Sequence, residues 1–267
     1  MTTINTNINS LNAQRNLSTT TNSLAVSMAR LSSGLRVNSA KDDAAGLAIA
    51  ERMNTQTRGM NVAIRNANDG ISLAQTAEGA LGAISNNLQR MRELAVQAAN
   101  GTNTSTDIQS LDAEFNLLAS ENARVASSTT FNGLNVIAAA TFDFQVGANS
   151  TTNDTISVAG SSYTGTATSL GSATSTAFAQ ISLLDADINA VTSARATWGA
   201  TQNRFDTVIA NLRVSSENSA AARGRIMDAD YAQETANLSR AQVLQQAGTA
   251  MVAQANQIPQ GVLKLLQ

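Results

Sequence analysis

The chain has 267 residues, 43% of them hydrophobic but only 3% aromatic, and a formal net charge of -2. It contains no cysteine and no histidine. This excludes disulfides, thiol catalysis, a Ser-His-Asp triad and the HExxH zinc motif. The weakly acidic balance leaves no electrostatic footprint for nucleic acid, and no apolar run approaches the roughly 20 residues that span a membrane. Length alone is compatible with one or two domains. A core of Leu, Ile, Val, Met and Ala suits close helix–helix packing, and a single proline, Pro259, leaves nearly all of the chain free to be helical. The start, Met1-Thr2-Thr3-Ile4-Asn5, lacks the basic and then hydrophobic blocks of a cleaved secretory signal.

The first predicted element is an amphipathic helix over about 5–35. Leu17, Leu24, Met28, Leu31 and Leu35 fall on alternating steps of four and three, with polar Thr21 in one slot. Its other face is rich in Asn, Ser and Thr, so the helix needs a partner. Gly34 reads as its stop. In Asn38-Ser39-Ala40-Lys41-Asp42-Asp43, Ser39 reads as the cap of the next helix, with Asp42 as its reciprocal acid and Asp43 favourable at the helix N-terminus.

That second helix is predicted over about 44–99. Leu81, Ile84, Leu88, Met91, Ala95 and Ala98 alternate by three and four, and Gly70, after Asn68-Asp69, reads as a bend. Asn100-Gly101-Thr102-Asn103 is a turn signal. A third helix over about 105–127, with Ile108, Leu111, Phe115 and Leu118 on one side, completes an antiparallel hairpin. The period then changes. Phe142, Phe144 and Val146, and later Ile156 and Val158, alternate with polar residues and predict a β-hairpin with a long loop. A lone hairpin is marginal in water, so its Phe residues should lie on the helices. From Ala159 to Ala177 the Ser/Thr/Gly/Ala composition predicts an exposed loop.

Helix returns over about 178–216, through Ile181, Leu184, Ile188, Val191, Trp198, Phe205, Ile209 and Leu212, and is interrupted near Gly224 and Asp228–Asp230. In the last helix Leu244, Met251, Ala255, Ile258, Val262 and Leu265 repeat the heptad spacing, with Gly248 in the open slot. After Arg225 the only basic residues are Arg240 and Lys264. A helix clad in Ala, Gln and Asn belongs inside an assembly more often than in water. The two terminal stripes each seek a helical partner, either each other or another chain. The fold class expected is mainly α: an antiparallel long-helix rod with a terminal coiled-coil pair, a central helical bundle and a small β-hairpin. Such a rod is a building element, not an enzyme.

Several runs carry a family resemblance. Arg30-Leu31-Ser32-Ser33-Gly34-Leu35-Arg36-Val37-Asn38-Ser39-Ala40-Lys41-Asp42-Asp43-Ala44-Ala45-Gly46, Arg65 to Ser72, and Gln89 to Gln97 resemble the N-terminal signature of bacterial flagellins. Ser239 to Thr249 and Ala253 to Gln260 resemble the C-terminal signature, and Phe144-Gln145-Val146-Gly147-Ala148-Asn149 is similar to the family's hairpin. The resemblance covers about 1–137 and 180–267 and is that of a short form without large central inserts. It implies five segments: 1–43 and 224–267 as an inner coiled-coil domain, 44–137 and 180–223 as a helical tube domain, and 138–179 as the hairpin and exposed loop.

The resemblance further implies a subunit that self-polymerises into the motility filament. It is secreted through the flagellar type III apparatus without a cleaved signal, and its partners are copies of itself, an export chaperone, and the cap and hook-associated proteins. No cofactor, nucleic acid or membrane insertion is implied. A hook–filament junction protein is the alternative reading. The polymerisation seam is expected at Leu24, Met28, Leu31, Leu35, Leu244, Met251, Ile258, Val262 and Leu265. Arg90, Leu94 and Glu114 match positions through which the innate Toll-like receptor for flagellin recognises many family members. On the residues alone, Arg90 and Glu114 read as an ordinary solvated helix face or as contacts between subunits. Ser161, Ser162, Thr164 and Thr168 are possible O-glycosylation sites.

Overall fold

In a computed structural model the described residues run from 6 to 264, with side chains described to 257. Among these residues five α-helices, a short 3-10 turn (Thr152–Asp154) and two small antiparallel two-stranded sheets form: α1 (Ile8–Ser33), α2 (Ala44–Ala98), α3 (Ser105–Ser128), β1 (Thr130–Phe131), β2 (Leu134–Asn135), β3 (Thr141–Gln145), β4 (Thr155–Ala159), α4 (Thr174–Met227) and α5 (Tyr231–Lys264). The mainly helical class expected from the spacing is what forms. The chain divides into two compact units, residues 1–55 with 218–267, and residues 56–217. The first division falls inside α2 and the second inside α4.

In the first unit α1 and α5 pack antiparallel. The Asn7 side-chain amide donates to the Ala255 carbonyl at 2.8 Å, Leu17 lies against Gly248, and Arg30 faces Glu234 at 3.9 Å. α1 is capped by the Asn7 side chain, which accepts from the Ser10 N–H, and ends at Gly34 in the left-handed conformation, as predicted. The start of α2 differs from expectation. Asp42 does reach back, accepting from the Ser39 N–H and hydroxyl and the Asn38 N–H, but residues 40–43 only turn. Asp43 makes the cap instead, accepting from the Gly46 N–H at 2.7 Å. The connection is tied to the far end of the chain: Ala229 N–H donates to the Gly34 carbonyl, and Arg36 donates to the carbonyls of Met227 and Ile226. A small cluster of Val37, Ala50 and Met227 closes beneath it.

In the second unit α2 runs antiparallel to both α3 and α4. Arg90–Glu114 and Asn87–Asn122 join α2 to α3, while Asn61–Ser216, Glu78–Arg195 and Arg92–Asp185 join α2 to α4. The predicted heptads supply the core: Leu81, Ile84, Leu88, Met91, Ala95 and Ala98 from α2, Ile108 and Phe115 from α3, and Leu184, Val191, Trp198 and Phe205 from α4. Gly70 makes no bend. A Cβ there would lie 2.7 Å from the Phe205 ring, so the glycine is required for close approach of two helices. Thr104 and Asp107 form a complete capping box for α3.

The β3–β4 hairpin pairs Phe142 with Val158 and Phe144 with Ile156. As expected, it rests on the helices through its aromatic residues, with Phe144 meeting Phe205 edge-on at 5.3 Å. Sequence reasoning passed over β1–β2, although Asn132-Gly133, both at positive φ, is a strong two-residue hairpin signal.

Candidate interaction surfaces

Three surfaces were expected to carry function. On the first, Arg90 of α2 donates from Nε to Glu114 of α3 at 2.9 Å and from Nη1 to Glu93 at 3.0 Å. These hydrogen bonds, Glu114 first, raise the Arg90 pKa above the ordinary guanidinium value. All three side chains are about half exposed or more, so they hold one cation between two carboxylates on an open face. Arg92 makes a neighbouring pair with Asp185 of α4 at 2.6 Å, which lowers the Asp185 pKa. Leu94 does not join this face. It is 0% exposed and sits in the core, so of the expected trio only Arg90 and Glu114 lie on the surface.

The second surface is the α1–α5 pair. Its closing seam is built from Ser10, Ala13, Leu17, Thr20, Leu24, Ser27 and Leu31 on α1 and from Glu234, Leu238, Ala241, Gln245, Gly248, Val252 and Ala255 on α5, all buried or half-buried at steps of three and four. Much of that seam is polar or small. The expected stripe coincides with it at Leu17, Leu24, Leu31, Gly248 and Ala255, while Met28, Leu244 and Met251 fall outside it. Met28, Leu244 and Met251 lie beside the seam and are exposed. Leu244 and Met251 instead wall a groove of about 560 Å³, with Ala13, Leu17, Ala247 and Gly248 among its lining. Leu35 is half-buried in the cluster below the connection. The expected seam residues Ile258, Val262 and Leu265 lie outside the described side chains.

The third surface, residues 160–173, is irregular but not loose. Two carboxylates hold it down. Asp187 of α4, itself buried, accepts from the Thr166 N–H and hydroxyl at 2.9 and 2.8 Å. Asp112 of α3 accepts from the Leu170 N–H at 2.6 Å and the Ser169 hydroxyl at 2.8 Å. Ala167 and Leu170 are buried beneath. The predicted exposed loop is therefore an anchored strap, because two acidic residues in the helices satisfy backbone that would otherwise need water. Of the four hydroxyl sites, Ser162, Thr164 and Thr168 are exposed. Ser161 is half-buried and accepts from the Trp198 indole N–H at 3.1 Å.

Tyr163 of the strap packs partly buried against the helical core; this burial, and then the nearby Asp187 charge, push its phenol up to about 12, while the Asn122 amide acts the other way. A phenol that ionises more readily unfolded than folded lends stability that is complete below pH 10 and lost as the pH rises towards 12. Alkaline unfolding followed by circular dichroism should therefore begin above pH 10 in the wild type. Tyr163→Phe should flatten that part of the profile, and an unchanged profile would mean that the phenol is not shielded.

Residues 4–141 match the bacterial flagellin N-terminal helical region, and residues 181–266 match the C-terminal helical region. The chain belongs to the flagellin family. A flagellin of Halalkalibacterium halodurans is 44% identical over 270 residues, covering 99% of both chains. The flagellin of Bacillus subtilis is 41% identical over 302 residues, again with 99% of each chain covered. The crystal structure of Bacillus cereus flagellin shares 38% identity, covering 60% of this chain and 94% of that one, with a TM-score of 0.51. The two matched regions leave residues 142–180 uncovered, which hold nearly all of the β3–β4 hairpin, the strap and the first turns of α4. Flagellins are structural proteins, not enzymes. Among the described residues there is no cluster of metal-ligating side chains, and no helix is long and apolar enough to cross a membrane.

Proposed function

We propose that the chain is the self-assembling subunit of a bacterial flagellar filament, working outside the cell. The observation that carries this reading is the α1–α5 pair. It belongs to the terminal regions that match flagellins, it is closed by a largely polar and small-residue seam, and it leaves Met28, Leu244 and Met251 more than half exposed. Exposed apolar residues at heptad spacing on a paired helix supply a face for further helices, and the partner of matching chemistry is a second copy. Export unfolded through the flagellar apparatus, with a chaperone, a cap and hook-associated proteins as partners, completes the proposal. Electron microscopy of seeded, purified protein tests it. Long filaments are expected. A chain that stays monomeric, or joins only the ends of other filaments, would favour the hook–filament junction reading instead.

The open Arg90–Glu93–Glu114 face supports a second reading, recognition of the released monomer by the Toll-like receptor for flagellin. Arginine offers a planar, bidentate donor that lysine replaces only in part. The Arg90→Ala, Glu114→Ala double variant is expected to lower receptor activation by about tenfold or more in reporter cells, in line with loss of a well-placed interfacial charge. The core beneath, Leu88, Met91 and Leu94, is untouched, so helix content should be preserved. Full activation by the folded double variant would show that this face is only a solvated ion-pair network. Ser162, Thr164 and Thr168 remain proposed glycan acceptors, and the intact mass of native filaments decides whether they are used.

A further inference from the structure

The chain has seven methionines, and their surroundings sort them sharply. Met60, Met91 and Met227 are buried at 8%, 1% and 7% exposure. Met53 is half-buried, and Met1 lies outside the described residues. Met28 and Met251 stand apart at 57% and 64%. Both lie in the first unit, one on each helix of the α1–α5 pair. Met28 follows Leu24 by one helical turn and precedes Leu31 by the next. Met251 walls the apolar groove beside Leu244, Ala247 and Gly248, facing Leu17 and Ala13 of α1.

The geometry points to Met28 and Met251 as selective oxidation sites, at which a peroxide converts two thioethers to sulfoxides and so blocks assembly. This inference rests on the self-polymerising subunit reading. The sulfur lone pair attacks one peroxide oxygen. An S–O bond forms as the O–O bond breaks, sulfur loses two electrons to the peroxide, and the second oxygen leaves with both protons as water. Accessible thioethers react, while those in the core are shielded by packing. The product exchanges a flexible apolar side chain for a polar one with a strong acceptor oxygen. In the monomer that oxygen is hydrated, so folding is undisturbed. In a polymer it must be dehydrated against apolar side chains of another copy without a donor, which disfavours the polymer alone. Oxidation and assembly should therefore exclude one another, because subunits already in a filament hide the same two sulfurs. A thiol-dependent sulfoxide reduction is the class of reaction that would restore competence.

The test treats purified monomer with hydrogen peroxide, maps sulfoxides by peptide mass spectrometry, and follows seeded elongation by light scattering. Met28 and Met251 should be oxidised first, and oxidised wild type should elongate at least tenfold more slowly with unchanged circular dichroism. The same peroxide applied to filaments should oxidise those two positions more slowly than in monomer. A Met28→Leu, Met251→Leu variant, measured against its own untreated sample, should lose no elongation rate on peroxide treatment. Oxidised wild type that elongates like untreated protein would overturn the inference, as would equal inhibition of the double-Leu variant or equally rapid oxidation of Met60, Met91 and Met227. Untreated wild type that forms no filaments would instead overturn the subunit reading, and the control of assembly with it.

Discussion

The Leu244→Asp, Met251→Asp variant is expected to fold and to form no filaments. Both side chains are more than half exposed in the monomer, where a carboxylate remains hydrated at little cost. The seam that closes α1 on α5 uses Ala241, Gln245, Gly248, Val252 and Ala255 and is not touched. In a polymer that covers the Leu244–Met251 groove, each aspartate becomes an unpaired buried charge, and leaving such a charge uncompensated costs about 3–5 kcal/mol. Even one such charge weakens association by roughly 100-fold or more. Sedimentation after seeding should leave the variant in the supernatant at concentrations where wild type pellets. Filaments of normal length from this variant would mean that the assembly face lies elsewhere on the chain.

The largest effect on folding is expected at Phe205. This ring is fully buried, lies over Gly70 of α2, and meets Phe144 of the hairpin edge-on, so one side chain ties together three elements of the 56–217 unit. Phe205→Ala opens a cavity that α2 and α4 cannot collapse to fill, at a cost of about 3–5 kcal/mol. For a unit of this size the melting temperature should fall by roughly 10 °C. Gly70→Ala attacks the same contact from the other side. Its Cβ would stand 2.7 Å from the ring, so the helices must part or the ring must tilt, and destabilisation is again expected. Thermal melts that leave either variant within a degree or two of wild type would show that this crossing is more plastic than its packing implies.

The helices were legible because their information is local and repetitive. The spacing of Leu81, Ile84, Leu88 and Met91 states which face is buried, whatever it is buried against. The hairpin was legible for the same reason at a period of two. The partner of each face was harder to read. On α5 the stripe that begins at Leu244 has nearly the same period as the seam that begins at Glu234, and only packing selects the seam whose small residues let the two backbones approach. Gly70 looked like a bend because a glycine in a helix states only that a side chain is missing, and the Phe205 ring that needs the space is 135 positions away. The strap was misjudged on composition. Ser, Thr and Gly are common in loose loops, but Asp112 and Asp187 are too distant in sequence for any local pattern to announce them as its anchors. The surface at Arg90 was located by resemblance, and the burial of Leu94 beside it follows from the same helical period that made the core readable.

The indole N–H of Trp198 donates to Ser161 of the strap, and the ring itself is 1% exposed. It is the only tryptophan in the chain. Excited at wavelengths that tyrosine does not absorb, it is the protein's single indole reporter, placed under the strap and within the 56–217 unit. Its emission should shift to the red when the strap lifts or that unit melts, and should remain silent while α1 and α5 pair, separate or meet another copy. Fluorescence and light scattering recorded on one sample can therefore follow the integrity of the central unit and the growth of polymer as two independent signals, without a label on either.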